Sequence, residues 1–480
     1  MKFDELKSLM PANALLLDEE SRRAYECDAL SAHRVMPGCV ALPDSVEQVK
    51  AILRYCYSND IPVVARGAGT GLSGGAMPYE GGVLLSLAKF NQIIEIDPEQ
   101  RMARVQPGVR NLAISEAAKP YGLYYAPDPS SQIACTIGGN VAENSGGVHC
   151  LKYGLTVHNI LQLKVVTISG ELVTIGSHAL DSPGYDLLAL LTGSEGMLAV
   201  VVEVTVKLLP TPPFSRVLLA AFDDIEKAGE AVAGIIANGI IPAGLEMMDK
   251  AGVRAVEDFI HAGYPTEAEA ILLCELDGTQ DEVETLLVEV GNLLNQYGAI
   301  EVRTARDEKE SLKFWAGRKA AFPAVGRISP DYYCMDGTIP RKYIAQVLSG
   351  INKLSEKYQL PVVNVFHAGD GNLHPLILYD IGKPGELEQA EKFGSEILEL
   401  CIAMGGTITG EHGVGIEKIR EMCIQFTEDE LEQFHSVKAV FDKKGLLNPG
   451  KAVPTLNRCA EFGAMHIHAG KDKFPDLERF

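Results

Sequence analysis

Two histidines lie at the mouth of a tight turn between two apolar runs. The stretch VNVFHAGDGNLHPLI, from Val363 to Ile377, places His367 and His374 on either side of a segment rich in turn-forming residues. Seven positions apart on one straight strand, the two side chains would face opposite ways. A reversal between two strands lets them converge. Converging imidazoles indicate either a metal site or a network of hydrogen bonds, and the spacing alone leaves both open.

A glycine-rich loop in the first third of the chain is the second feature with chemical meaning. Gly69, Gly71 and Gly74 spell the dinucleotide pattern G-x-G-x-x-G, but an apolar strand from Val83 follows instead of the helix that this pattern requires. A nicotinamide-binding unit is therefore not expected. The backbone N–H groups of such a loop still suit a pyrophosphate, and the alternative is a surface loop without a ligand. A second stretch dense in Gly, Ser, Asn and Pro, 126–154, is typical of a backbone that a ligand approaches closely.

Composition narrows the classes of protein. The chain has 480 residues, 46% of them hydrophobic, which predicts two or three globular domains with sizeable cores. The net charge of −21 argues against nucleic acid and anionic membranes as partners. The N-terminal MKFDELKSLM lacks the apolar region of a signal peptide, and no apolar run is long enough to span a bilayer. No C-x-x-C pair occurs, so neither an iron–sulfur cluster nor a zinc knuckle is expected.

The elements that position these residues change character at the rigid stretch PTPP, 210–213. Before it, short strands alternate with glycine-rich loops. After it, helices alternate with strands, and hairpins such as the histidine turn imply an antiparallel sheet packed against helices. Helices are predicted at about 223–239, 281–298, 341–359, 386–404 and 428–444, with Asp223 as the cap of the first. The fold class predicted from these patterns is α+β.

Together, the motifs RGAGTGLSGGA, PDPSS, TIGGNVAENSGG, KYG, GSEG, HAGDGNLH, GEHGVG and NPGK resemble the flavoproteins of vanillyl-alcohol oxidase type, in the branch of D-2-hydroxyacid dehydrogenases. The resemblance implies a two-lobed FAD-binding domain and a second, antiparallel-sheet domain that binds substrate. The predicted divisions are an N-terminal helical segment (1–36), the FAD-binding domain (37–213), the substrate- and metal-binding domain (214–420), a C-terminal helical segment returning to the flavin (421–454) and a tail (455–480).

The resemblance also implies which residues hold FAD, which in this branch is bound non-covalently. The family's pyrophosphate loop and the further cofactor contacts correspond to Arg66, Gly67, Gly69, Thr70, Gly71, Pro127, Ser130, Ser131, Gly138, Gly139, Asn140, Gly146, Gly147, Glu195, Gly196, Asn448 and Lys451.

For the second half, the resemblance makes His367, His374 and Glu411 ligands of one divalent metal, a set that suits zinc, iron or manganese. It makes His412 the base that removes the hydroxyl proton while the α-hydride passes to flavin N5. Arg318 corresponds to the arginine that clamps the substrate carboxylate. Two hydrogen-bonded core histidines and a solvated helix arginine are the alternatives.

The implied reaction is oxidation of a small 2-hydroxy acid, glycolate first and D-lactate second. Relatives that act on larger diacids carry a lysine near the position of Cys334 and Met335, and this chain has none there. The resemblance implies partners, a second FAD-type subunit and an iron–sulfur subunit, and a cytoplasmic location that partners could extend to the inner face of the membrane. The alternatives are a stand-alone D-lactate or D-2-hydroxyglutarate dehydrogenase and a non-catalytic FAD-bearing assembly subunit. Apolar residues in the tail suggest a docking strip.

Overall fold

The fold is known from a computed structural model, which describes residue 3 and residues 5–179 and 184–454. The strands are β1 (Leu15–Leu16), β2 (Cys39–Ala41), β3 (Val63–Arg66), β4 (Val83–Ser86), β5 (Ile93–Asp97), β6 (Met102–Val105), β7 (Leu123–Tyr124), β8 (Ile160–Val166), β9 (Leu172–Gly176), β10 (Val200–Lys207), β11 (Leu209–Pro210), β12 (Phe214–Phe222), β13 (Gly244–Asp249), β14 (Ala270–Gly278), β15 (Glu301–Thr304), β16 (Asp331–Cys334), β17 (Val362–His367) and β18 (Asn372–Tyr379).

The helices are α1 (Leu6–Leu9), α2 (Glu19–Arg23), α3 (Val46–Ser58), α4 (Asn111–Ala118), α5 (Ile137–Glu143), α6 (Cys150–Tyr153), α7 (Leu187–Leu191), α8 (Ile225–Ala237), α9 (Lys250–Ile260), α10 (Gln280–Gln296), α11 (Glu308–Lys319), α12 (Ala321–Val325), α13 (Ile344–Tyr358), α14 (Glu386–Ala403), α15 (Ile419–Gln425) and α16 (Glu428–Phe441). Short 3₁₀ turns lie at Ala12–Ala14, Lys119–Tyr121, Thr156–Asn159 and Arg341–Tyr343.

The described residues divide into two compact units. The first comprises the described residues up to Gly146, Gly154–Thr211 and those from Glu411 onward; the second comprises Gly147–Tyr153 and Pro212–Gly410. These divisions lie close to the predicted domain limits, but they put 411–420 with the first unit and 147–153 with the second. The predicted limits themselves stay predictions, and the predicted tail, 455–480, lies outside the described residues.

The described part of the first unit has two larger sheets, with separate apolar cores, and a two-stranded pair of β11 with β7. In its N-terminal lobe, β2, β4 and β3 run parallel and β1 adds at the edge in the antiparallel sense. α3 packs Val49, Ile52 and Leu53 into the core of this lobe. In the other lobe, β5, β6, β10, β8 and β9 form an antiparallel sheet, whose core includes residues of α4 and α5. Loops at the ends of these strands bring the glycine-rich segments together.

The second unit has one antiparallel sheet, in the order β15-β12-β14-β13-β17-β18-β16. Its strands are β-branched and leucine-rich and buried on both faces over much of their length, as in VLLAAF of β12 and LHPLILY of β18. Helices α9, α10 and α14 pack against the strands. The histidine turn is the hairpin β17–β18, as predicted, with Val365 opposite His374 and His367 opposite Asn372.

Helix starts in this unit follow the capping rule closely. Asp249, Thr279 and Asp307 each accept a hydrogen bond from a backbone N–H in the first turn of the helix that follows. The cap of α8 is Asp224, which accepts from the amide of Glu226, and not the predicted Asp223. Asp223 instead pairs with Lys227 at 2.9 Å on the helix surface. The helix therefore begins one residue later than the sequence suggested.

Candidate cofactor cavity and imidazole site

The glycine-rich loop after β3 is shaped around one arginine. Arg66, the last residue of β3, donates from Nη1 to the carbonyl of Cys27 at 2.6 Å and is only 9% exposed. Gly69 has φ of +74°, and a Cβ atom there would lie 2.2 Å from Nη2 of Arg66. A side chain at this position would collide with the guanidinium, so the loop requires glycine.

A cavity between the two lobes of the first unit lies next to this loop, with about 640 Å³ of empty space, part of it open to solvent. Six of the predicted cofactor residues line it: Arg66, Gly67, Gly138, Gly139, Glu195 and Gly196. A Cβ atom at Gly67 would lie 2.3 Å from Oγ1 of Thr136, so the backbone can pass this close to Thr136 only because the residue is glycine. That Oγ1 atom is buried and has no hydrogen-bond partner among the described residues. A glycine-walled cavity that also presents an arginine fits a dinucleotide such as FAD, because the pyrophosphate can approach the backbone closely.

The other predicted cofactor residues are not among those that line the cavity. Thr70 and Gly71 continue the loop; Pro127, Ser130 and Ser131 form the turn before α5; Asn140 lies within α5; Gly146 follows that helix. Gly147 belongs to the second compact unit. The carbonyl of Pro127 accepts a hydrogen bond from Nδ2 of Asn111 at 3.0 Å, which fixes this turn on α4.

The side chains of Asn448 and Lys451 hydrogen-bond to backbone carbonyls of residues that line the cavity. Nδ2 of Asn448 donates to the carbonyls of Gly75 and Glu195 at 3.0 and 2.6 Å, and Nζ of Lys451 donates to Gly75 at 2.9 Å and also to Met77. Gly75 lines the cavity. Burial lowers the pKa of Lys451 to about 8.

Two carboxyl groups in this wall, those of Glu143 and Glu195, lie close together, and the sequence indicated only Glu195 as a site residue. Glu143, on α5, was not singled out, although it is the one charged residue in the small-residue run TIGGNVAENSGG. A Cβ atom at Gly413 would lie 2.2 Å from Oε2 of Glu143 and 2.9 Å from Oε1 of Glu195. Burial, and then the neighbouring Glu195, raises the pKa of Glu143 well above its usual range. Burial also raises the pKa of Glu195, against the opposing effect of two backbone amides.

In the second unit, the two imidazoles converge as the hairpin predicts. The ring centroids of His367 and His374 are 5.0 Å apart, edge to face, and one nitrogen of each ring lies within 4.8 Å of the other. Nδ1 of His367 is 2.8 Å from Oε1 of Glu246, and Nδ1 of His374 is 3.3 Å from the carbonyl of Met335. Because an N–H at Nδ1 donates in each case, the lone pair of each neutral ring lies on Nε2. This is the usual arrangement of metal-ligating histidines, so the pair fits a divalent cation.

Glu246 connects the imidazoles to the arginine predicted to bind substrate. Met247 of β13 pairs with Phe366 of β17, so Glu246 comes next to His367 in the register. Oε2 of Glu246 accepts from Nε of Arg318 at 2.7 Å, and all three side chains are buried. Burial acts to raise the pKa of Glu246, but the charges of His367 and Arg318 outweigh it, and the pKa is held below its usual value. Sequence reasoning missed Glu246, whose signal was a lone carboxylate within the apolar strand GLEMMD.

The remaining predicted residues can be located, while their roles stay predictions. Glu411 and His412 belong to the first compact unit, and Nε2 of His412 lies 3.8 Å from Oε1 of Glu411. Cys334, which stands where larger-substrate relatives carry lysine, is buried, and its Sγ lies within 4.8 Å of a ring nitrogen of His374. No cation is available from Cys334 or Met335 for a second substrate carboxylate.

Comparison with known proteins gives the class. Residues 211–452 match the family described as FAD linked oxidases, C-terminal domain, and residues 37–176 match the FAD binding domain. The chain belongs to the FAD-linked oxidases, a family of flavin-dependent oxidoreductases. The predicted family, FAD as cofactor and the fold class are confirmed.

Individual members of the family resemble the chain over most of its length. The chain is 65% identical to glycolate oxidase subunit GlcD of Escherichia coli (strain K12) over 475 residues, covering 99% of this chain and 95% of that protein. It is 41% identical to GlcD of Bacillus subtilis (strain 168), over 90% of this chain and 92% of that protein. It is 35% identical to a D-lactate dehydrogenase of Archaeoglobus fulgidus, over 95% and 99%.

Solved structures share the fold at low sequence identity. A p-cresol methylhydroxylase with bound substrate has a TM-score of 0.81 at 17% identity, covering 95% of this chain and 97% of that one. The 4-ethylphenol oxidase of Gulosibacter chungangensis has a TM-score of 0.79, also at 17% identity, with the same coverage. Within the described ranges, no helix combines the length and apolar character needed to cross a bilayer.

Proposed function

We propose that this chain oxidises small 2-hydroxy acids, glycolate first and D-lactate second, with FAD as the electron acceptor. The observation that carries the proposal is the 65% identity to a glycolate oxidase subunit over nearly the whole of both chains. The likeness to D-lactate dehydrogenases supports D-lactate as the second substrate and leaves a stand-alone D-lactate dehydrogenase as the alternative. The absence of a cation at Cys334 and Met335 argues against 2-hydroxyglutarate.

FAD would be held without a covalent bond by the cavity between the two lobes of the first unit. The bound flavin supplies a two-electron acceptor for the α-hydride of the substrate. The chain contributes the walls of this cavity: Arg66 and Gly67 on one side, and Gly138 and Gly139, where the backbone carries no side chain, on another.

One divalent metal, zinc, iron or manganese, would be held by His367, His374 and Glu411. The tethered Nδ1 atoms of the two histidines support this assignment, because they direct Nε2 toward a cation. What such an ion supplies is a lowered pKa for a hydroxyl group next to it.

His412 would accept the hydroxyl proton, and Arg318 would orient the substrate carboxylate. Glu246 already occupies Nε and part of the Nη2 side of Arg318, so the guanidinium is fixed in one orientation before substrate arrives. A fixed guanidinium loses less entropy on binding a carboxylate than a mobile one.

The test is flavin reduction by the purified chain. Glycolate and D-lactate are expected to bleach the flavin absorbance, whereas L-lactate and D-2-hydroxyglutarate are not. His412→Ala should keep FAD and lose about 10²–10⁴-fold in rate, while Ala at His367 or His374 should lose bound metal together with activity. His178→Ala, at an exposed histidine, is the control for loss of an imidazole. Normal turnover by His412→Ala, or a preference for 2-hydroxyglutarate, would contradict the assignment.

Electrons would leave the reduced flavin through partner subunits, a second FAD-type subunit and an iron–sulfur subunit, because the sequence has neither a C-x-x-C pair nor a nicotinamide loop. The word "subunit" in the relatives' names supports such an assembly.

Deleting residues 456–480 tests the tail as the docking strip. The shortened chain should lose co-purifying proteins and glycolate-dependent dye reduction in cell extract. Retention of both would rule the docking role out.

A further inference from the structure

The backbone that follows His412 is unusually well fixed within the first unit. The carbonyl of His412 accepts from Oγ of Ser73 at 2.9 Å, and the carbonyl of Gly413 accepts from Nζ of Lys418 at 3.0 Å. The amide of Ile416 donates to the carbonyl of Ser73 at 2.9 Å. Two side chains and one backbone carbonyl thus hold the segment 412–416, and a reacting group is effective only when the backbone that carries it is held in place.

Glu195 supplies the strongest of these anchors. Its Oε1 accepts from the amide of Val414 at 2.7 Å and its Oε2 accepts from the amide of Gly415 at 2.7 Å. Both oxygens of a side chain that is only 6% exposed are therefore used on two successive backbone amides. Hydrogen bonds to a charged acceptor in a buried setting are the strong ones.

The backbone geometry of the segment explains why a side chain must hold it. Gly413 and Gly415 have φ of +79° and +53°, a conformation that breaks regular backbone pairing and leaves the intervening amides to be satisfied otherwise. A Cβ atom at Gly415 would lie 2.0 Å from the carbonyl oxygen of Ser73, so the chain passes against Ser73 as closely as glycine permits.

We infer that Glu195 is a positioning residue for His412: its carboxylate clamps the amides of Val414 and Gly415 and so fixes the imidazole two positions earlier. The inference rests on the proposed role of His412 as base. It differs from the expectation that Glu195 serves the cofactor, because both carboxylate oxygens are turned to the 414–415 backbone and its own carbonyl is taken by Asn448.

The experiment compares three variants of the full chain with bound FAD. Glu195→Gln keeps the size of the side chain but presents an N–H to one of the two amides, and Glu195→Asp keeps the charge but withdraws it by one methylene group. Asp249→Asn is the matched control: it removes an equally buried carboxylate that accepts the amides of Gly252 and Asn364, at 2.9 and 2.8 Å, in the second unit.

Both Glu195 variants are expected to retain FAD, lose about 10- to 100-fold in kcat with little change in KM, and exchange the amide hydrogens of 411–418 faster than wild type. Asp249→Asn should keep wild-type kcat and wild-type exchange in that segment. If Glu195→Gln fails to fold, Glu195→Asp decides the question by the same readouts.

Three results would overturn the inference: unchanged exchange at 411–418, faster exchange with unchanged kcat, or full activity in Glu195→Asp, which would make charge rather than reach the essential property. Loss of FAD with normal exchange would assign Glu195 to the cofactor instead. If wild-type chain is reduced by none of the 2-hydroxy acids, the proposed function fails, and the exchange measurement still decides whether Glu195 holds the segment.

Discussion

Replacing Glu246 with glutamine is the most informative single change in the second unit. Glu246 is 1% exposed and accepts from Nε of Arg318, which is 2% exposed, at 2.7 Å, while its other oxygen meets Nδ1 of His367 at 2.8 Å. Glu246→Gln keeps the shape of the side chain and removes its charge. The guanidinium of Arg318 is then left buried without a counter-charge.

The magnitude follows from that burial. An exposed ion pair is worth little, but removing one member of a buried pair costs about 3–5 kcal/mol, because the other charge stays desolvated. We therefore expect Glu246→Gln to lower the free energy of unfolding by about 3–5 kcal/mol. Removing both charges, as in Glu246→Gln combined with Arg318→Met, should cost less than the sum of the two single changes. For the proposed metal, we also expect a loss of about 10- to 100-fold in affinity, since His367 then faces a neutral amide in place of the carboxylate that orients it.

The assay is urea unfolding followed by circular dichroism, with a chelator present so that metal binding does not contribute. Glu301→Gln is the control: this carboxylate is exposed on β15, in the same sheet, and should change stability by less than about 0.5 kcal/mol. A loss below about 1 kcal/mol for Glu246→Gln, against the range expected for a buried pair, would refute the reasoning. So would a double variant whose loss equals the sum, because the two charges would then act independently.

Three further outcomes are expected. Burial raises the pKa of Asp249 from 3.8 to about 6. The stability that its neutral form contributes is therefore fully present below about pH 4 and is lost as the pH rises through about 6, a loss of about 3 kcal/mol. In unfolding curves of Asp249→Asn, this decrease of the free energy of unfolding between about pH 4 and 6 should be missing. Gly415→Ala should cost more than Gly385→Ala in melting temperature, because both have positive φ but only Gly415 faces a backbone oxygen, that of Ser73; equal costs would contradict the clash. Acid precipitation should release yellow FAD into the supernatant, and flavin left in the pellet would show a covalent link.

The parts of the fold that the sequence predicts are those with a local signal. Alternating apolar residues on either side of a Gly-Asp-Gly turn specify the β17–β18 hairpin, and the convergence of His367 and His374 follows from the period of a strand. The glycine-rich loop after β3 is likewise local, because Gly69, which must lack a side chain to make room for Arg66, lies only three positions after it. Helix ends were predicted to within a few residues, as the shift from Asp223 to Asp224 illustrates.

The parts that escaped prediction depend on contacts between distant segments. In the sequence, Glu246 looks like an ordinary strand residue. Its contact with His367, 121 positions later, becomes apparent only when β13 is known to pair with β17. The segment Gly147–Tyr153 reads as part of the cofactor stretch, yet it belongs to the second unit, where Lys152 and Tyr153 both bind the carboxylate of Asp277. No local pattern records such pairings.

The role inferred for Glu195 shows that a residue in a cofactor-binding motif can have a function that the motif does not predict. The motif GSEG forms a sharp turn, with positive φ at Gly193, Glu195 and Gly196, a conformation that favours its two glycines. The side chain inside the turn is directed to the amides of Val414 and Gly415, 219 and 220 positions later. A turn whose residues line the candidate cofactor cavity thus also contacts the segment after His412, through the carboxylate of Glu195. Substitutions at Glu195 should separate the two effects, since the backbone contribution survives in Glu195→Gln and the carboxylate contribution does not.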